Sequence, residues 1–195
     1  MRTQLTVFFV VLAVGGLILA TQLGAFQTQE TRDIPLDEAY ASFNQEGIKS
    51  LDNTVDNEPL GQILGMVQEG PQRMALCVGN DIAAAVKTTV VGFSMPEDPV
   101  PAVTAATSDI VWLAAYLGSD GSMPPAYIVR SIEVAGKTIR VSYERDTSPV
   151  RTADLRAYLI WAPIGRMDPG VYTLELFDVL AGDVTASRPW QVIAN

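Results

Sequence analysis

The hydrophobic pattern of this 195-residue chain changes character along its length. Residues 5–20 (LTVFFVVLAVGGLILA) are apolar throughout apart from Thr6. Residues 27–57 are polar and acidic with sparse apolar positions; 36–43 (LDEAYASF) suffices for two helical turns, and the remainder reads as a solvated stalk or loosely packed arm. Leu60, Ile63, Leu64 and Val67 then recur at three- and four-residue spacing behind Asn57 as an N-cap and Pro59 in the first turn, and Gly70-Pro71 ends that helix. A strand is expected over 74–78. Asn80-Asp81 caps a second helix over 82–87, which its three alanines favour. Residues 94–108 (SMPEDPVPAVTAATS) carry three prolines and no apolar period, the pattern of a linker.

Beyond that stretch, short apolar runs alternate with turn signals. The runs are 109–117, 127–134, 138–144, 155–162, 171–179 and 184–193; between them lie Gly118-Ser-Asp-Gly121 with Pro124-Pro125, Ala135-Gly136, residues 146–152, residues 165–170 and Ala181-Gly182-Asp183. Such punctuation with no helix between the runs predicts an antiparallel β-sandwich. Ile139, Val141 and Tyr143 alternate with Arg140, Ser142 and Glu144, and Tyr172, Leu174 and Leu176 alternate with Thr173 and Glu175, so each of these strands has one buried and one wet face. Residues 155–162 (LRAYLIWA) are apolar on both faces and predict a central strand. The expected organisation is a signal or anchor segment at 1–25, an acidic, partly helical region at 26–93, a linker at 94–108 and a β-sandwich at 109–195.

The terminal segment sets the compartment. Arg2 is the only charge before Glu30, so a short positive region precedes an apolar run, as in a signal peptide. Extended to Phe26, the run is also long enough to span a bilayer, which takes about 20 residues. Cleavage after Ala20 or Ala25 and retention as a single transmembrane anchor stay open, and both export the rest of the chain. The membrane is expected as a partner only through residues 5–26 of an uncleaved chain. No cysteine lies in this region, so a lipoprotein anchor is excluded. Cys77, the one cysteine, sits in apolar Met74-Ala-Leu-Cys77-Val and is expected to be a small buried hydrophobe.

Asp168-Pro-Gly170-Val-Tyr172, leading into Thr-Leu-Glu-Leu, resembles the turn and strand before the last hairpin of immunoglobulin-like and fibronectin-type sandwiches, including modules of exported bacterial proteins. The resemblance implies a mainly β fold in which the corner tyrosine hydrogen-bonds to upstream backbone. Leu174 stands where antibody domains carry their second cysteine, so the resemblance is to the disulfide-free variety.

Candidate chemistry fails on composition and spacing. With no histidine, Ser-His-Asp and Cys-His systems are excluded, as is the imidazole that most zinc and copper sites use. Asp52, Thr54, Asp56 and Glu58 imitate the start of an EF-hand loop, but Asn57 stands where glycine is needed and Ile63 where the bidentate glutamate should be. No Ser-x-x-Lys or glycine-rich phosphate loop occurs in the exported part. No catalytic, cofactor-binding or metal-ligating residue is therefore singled out, and no cofactor is expected. The charge is uneven: residues 26–125 carry 14 acids and 4 bases, residues 126–195 carry 8 of each. An acidic surface disfavours nucleic acid.

The C-terminal bases are seven arginines and Lys137. Arg130, Arg140, Arg145, Arg151 and Arg156 form either an interaction face for a protein partner or cross-strand pairs with Glu133, Glu144 and Asp154. Trp112, Trp161 and Trp190 form either a sugar-binding platform or part of the core, Trp161 foremost. The expected function is an exported, non-catalytic interaction or structural module whose contact loops are 119–125 and 146–152. The alternatives are an exported protease inhibitor or stabiliser and a small carboxylate-dependent hydrolase.

Overall fold

The structure, a computed structural model, describes residues 31–51, 57–68, 70–148 and 150–195. The apolar N-terminal segment, and Asp52, Thr54 and Asp56 of the EF-hand-like spacing, lie outside these residues. No helix among the described residues is long and apolar enough to cross a membrane.

All six apolar runs of the C-terminal half form strands: β6 (Val111–Asp120), β7 (Tyr127–Ala135), β8 (Thr138–Arg145), β9 (Arg156–Gly165), β10 (Gly170–Asp178) and β11 (Asp183–Ala194). Upstream lie β1 (Thr31–Asp33), β2 (Tyr40–Ala41), β3 (Lys49–Ser50), helix α1 (Asn57–Val67), β4 (Arg73–Val78), helix α2 (Ile82–Ser94) and β5 (Ala102–Ala105). They pack as two mixed sheets in a sandwich-like arrangement, with strand orders β1-β7-β8-β10-β11-β5 and β3-β2-β9-β6-β4.

Three expectations need correction. The sheets are not purely antiparallel, because β8 pairs with β10, β5 with β11 and β2 with β3 in parallel. The first of these follows from connectivity. The chain leaves β8, crosses to the other sheet as β9 and returns as β10, so it re-enters the first sheet in the direction in which it left. Residues 36–43 form one 3-10 turn (Leu36–Glu38) and then β2, not two helical turns. Nor are residues 31–51 a solvated arm or 94–108 a linker: residues 31–195 form one compact unit, and Ile34, Ala39, Ala41, Phe43, Ile48 and Leu51 are all buried in its core. The proline-rich stretch contains β5, which extends the six-stranded sheet beside β11. Sparse apolar residues looked solvated in sequence because two- and three-residue strands show no period.

The alternation in β8 and β10 holds, with Ile139, Val141, Tyr143, Tyr172, Leu174 and Leu176 all buried. Strand β9 is central, flanked by β2 and β6, and every residue from Ala157 to Ala162 is buried. One of its faces meets the opposing sheet and the other meets α2. Asp81 caps α2 by accepting from Ala84 N at 2.8 Å, and the helix runs to Ser94, ending before Pro96. At Gly92 a Cβ would come 2.8 Å from that of Ala75, so glycine sets how closely α2 lies on β4.

Thr89 is the polar pivot of this contact. Fully buried, its hydroxyl donates to Ala85 O at 2.9 Å and accepts from Trp161 Nε1 at 2.9 Å, with Cys77 Sγ at 3.5 Å. Burial pushes the Cys77 thiol up to about 11, which leaves it protonated and unreactive at neutral pH. The three tryptophans are buried as well, so none offers a sugar platform.

Two outcomes follow from this packing. Thr89→Val strands the buried Trp161 N–H and should cost about 1–3 kcal/mol in urea denaturation, whereas Thr89→Ser should cost less. Residues 109–195 expressed alone lose β4, β2 and α2, and should give a non-cooperative thermal transition by circular dichroism where the full chain unfolds cooperatively.

Candidate functional site

The two loops expected to make contacts meet at one end of the sandwich and are stitched together. Thr152 supplies most of the stitches: its Oγ1 accepts from Ser122 N at 2.9 Å and Met123 N at 3.2 Å, while its own N donates to Met123 O at 3.1 Å. Asp154 Oδ1 also accepts from Ser122 N, at 3.3 Å. At Gly121 a Cβ would stand 2.5 Å from Thr152 O, so only glycine allows the loops to approach this closely. Tyr158, buried beneath, donates to Gly121 O at 2.7 Å and accepts from Ala126 N at 3.1 Å.

Arg151 is the brace. Its side chain is only 9% exposed; Nη1 donates to Pro124 O at 2.6 Å and Nη2 donates to Asp146 O, while Asp120 and Asp146 carboxylates each lie 3.4 Å from the guanidinium. One side chain thereby ties both loops to the end of β6. A planar guanidinium with five donors suits this, since it satisfies carbonyls and carboxylates in several directions at once.

Above the brace, three apolar side chains face solvent: Met123 at 65%, Val150 at 75% and Leu155 at 53% exposure. They belong to the stitched segments on either side of the Met123–Thr152 contact. Sequence reasoning found the loops by length and polarity and passed over these three residues. Their signal was present, as apolar residues within polar, proline-containing turns.

The five arginines do not form one unpaired cationic face. Arg130 pairs with Glu144 at 2.5 Å and Arg140 with Glu175 at 2.7 Å, both across neighbouring strands of the six-stranded sheet. Arg156 pairs with Asp154 at 3.1 Å beside the loops, Arg151 is the buried brace, and Arg145 lies over the Tyr127 ring at 5.8 Å. The cross-strand pairing therefore involves Glu144 as expected and Glu175 in place of Glu133, whereas Asp154 pairs with Arg156 two residues along its own segment. Glu133 instead accepts from Ser131 at 2.7 Å.

Hydrogen bonds from Ser122 and Thr152 hold the Asp154 carboxyl far below the usual carboxylate range. Arg130 does the same, less strongly, for Glu144. Asp154 is exposed and Glu144 half-buried at the surface, so these pairs set local geometry more than global stability.

At the opposite corner, Tyr172 Oη donates to Asp168 O at 3.0 Å and accepts from Lys137 Nζ at 2.9 Å, the ammonium lying 4.1 Å from the ring centroid. This is the backbone bond that the corner tyrosine was expected to make. No group of three or more acidic or cysteine side chains among the described residues is placed to hold a metal ion. No protein-family model matches the chain, and no curated protein or solved structure does either.

Removing the brace should free both loops. Arg151→Met should cost about 2 kcal/mol and raise hydrogen exchange at the Ser122 and Met123 amides, with β10 and β11 amides unchanged. Asp154 gives a pH signature. Its folded pKa is depressed, so its contribution is complete above the ordinary aspartate value of about 4 and is lost as pH falls from there through the depressed value. Loop-amide exchange in the native chain should rise along that acid limb, and Asp154→Asn should flatten the dependence.

Proposed function

We propose that this chain is an exported, non-catalytic protein-interaction module that binds its partner with the braced loop pair. The observation that carries this reading is the exposure of Met123, Val150 and Leu155 on loops held rigid by buried Arg151. Exposed apolar side chains on a flexible loop collapse onto the nearest surface, whereas on a braced loop they stay presented. Fixing them before binding removes much of the ordering cost of association. Apolar anchors bordered by an exposed charged pair, here Arg156–Asp154, match the arrangement of interface hot spots.

Export rests on Arg2 and the apolar run that follows; tethering depends on whether that run is cleaved. A relation to immunoglobulin-like and fibronectin-type sandwiches belongs to the same reading. It is supported by the Tyr172 corner bond and by the division that pairs β6 with β9 in one sheet and puts β7, β8, β10 and β11 in the other. A protease as the partner is the narrower version of the proposal, favoured by one observation: a rigid loop that projects an apolar side chain, Val150, can enter a cleft.

Met123→Ser, Val150→Ser and Leu155→Ser combined test the reading. The native chain, used as bait in an envelope fraction, should recover one stoichiometric protein that the triple variant loses while its unfolding midpoint stays within the range of surface substitutions, about 0.5 kcal/mol each. Equal recovery by the triple variant would sink the proposal. Added proteases inhibited by the native chain alone would select the narrower version.

A further inference from the structure

A second arginine is buried without a carboxylate. Arg188 lies on the inward face of β11, in the alternation that also buries Trp190 and Val192, and is 8% exposed. Its Nη1 donates to Met74 O at 3.3 Å, and its Nη2 to Met95 O at 2.5 Å and Pro96 O at 3.3 Å. The guanidinium lies 4.9 Å from the Trp190 ring centroid. Among the described residues its Nε has no hydrogen-bond partner and none of the ion pairs includes it. A buried cation facing only neutral carbonyls is costly, and interiors rarely keep one without a counter-charge.

Arg188 lines a cleft of about 510 Å³ between the start of β4, the end of α2 and the middle of β11. Partly buried Arg73 lines the same cleft, again outside those ion pairs. Among the described residues the one carboxylate on its wall is exposed Glu97, so there two positive charges face one negative. Burial lowers the Arg188 pKa, with Glu97 opposing and Arg73 adding to that effect. The remaining wall is mixed, apolar Met74, Phe93 and Met95 lying beside polar Gln72, Thr185 and Ser187. The volume lies within the range of sites for small organic ligands.

We propose that this cleft binds an amphipathic monocarboxylate, with Arg188 and Arg73 neutralising the carboxylate and the hydrocarbon body lying against Met74, Phe93 and Met95. One net positive charge suits a singly charged head. A phosphate dianion would exceed it and meet Glu97. The apolar patch of Met74, Phe93 and Met95 favours a ligand with a hydrocarbon part over a bare anion.

The test uses the full chain carrying ¹³C-methyl methionine, titrated with hexanoate, hexan-1-ol or hexyl phosphate. Hexanoate should shift the Met74 and Met95 methyl signals saturably and leave Met123, which lines no part of the cleft, in place. Arg73→Gln should weaken that binding about tenfold, the size of one charge-assisted hydrogen bond, and Arg188→Met should abolish it. If Arg188→Met does not fold, Arg73→Gln decides. Absence of saturable shifts, equal shifts from hexan-1-ol, tighter binding of hexyl phosphate, or unchanged affinity in Arg73→Gln would each overturn the proposal.

Discussion

The five-stranded sheet has two apolar faces, and the rest of the fold answers that constraint. Strands β6 and β9 are buried residue after residue, Val111 to Leu117 and Ala157 to Ala162, so neither side can be left to water. One face is covered by the six-stranded sheet and the other by α2, with α1 packed beside it. At about 25 cal/mol per Å² of apolar surface, leaving the second face bare would outweigh the few kcal/mol by which a domain is ordinarily stable. The upstream residues are thus structural partners of the sandwich. The cover also has to satisfy the Trp161 indole, and Thr89 does so at 2.9 Å from a position where a purely apolar helix face would have left it orphaned.

How much of this was legible in the sequence depended on element length. The strands from β6 onward each run for eight residues or more, long enough to show alternation or an unbroken apolar run between turn signals. Strands β1, β2 and β3 have two or three residues, too few for any period, and the buried residues around them are interspersed with Asp33, Asp37, Glu38 and Glu46. Helix α2 was foreseen only in its first half, because threonines and β-branched valines follow its alanines. Thr88, Thr89 and Ser94 return their hydroxyls to carbonyls three or four residues back, which keeps those residues compatible with a helix. Strand β5 was hidden by the prolines around it. Parallel pairing depends on which sheet each strand joins, and hydrophobic pattern does not encode that choice.

The candidate site was legible as loops and illegible as chemistry. Turn composition located 119–125 and 146–152, but nothing in one sequence says that Thr152 meets Ser122 across 30 residues. Arginine count drew attention to the right residue type for the wrong reason: Arg151 was grouped with surface arginines and is in fact a positioning residue beneath the surface. Arg188 carried a readable sign that went unused. Ala186, Arg188, Trp190 and Val192 alternate along β11, and a period of two places the arginine on the same buried face as the tryptophan.

The two buried arginines show how the same side chain can have opposite consequences. Arg151 is enclosed by two carboxylates and two carbonyls, so its charge is balanced where it sits and its effect is mechanical: it fixes loops that carry exposed apolar tips. Arg188 hydrogen-bonds only to carbonyls, so among the described residues its Nε has no partner and its charge is opposed only through space by exposed Glu97 and the Trp190 ring. If Arg188 served only to tie the end of α2 to β11, a neutral donor reaching the same carbonyls would do so without the cost of a buried charge. Retaining a cation at the wall of a solvent-connected cleft, with a second arginine beside it, makes sense when the counter-charge arrives from outside the chain. If the loop pair and the cleft bind as proposed, a satisfied arginine stands where rigidity serves contact with a partner, and an unsatisfied one where a ligand completes it.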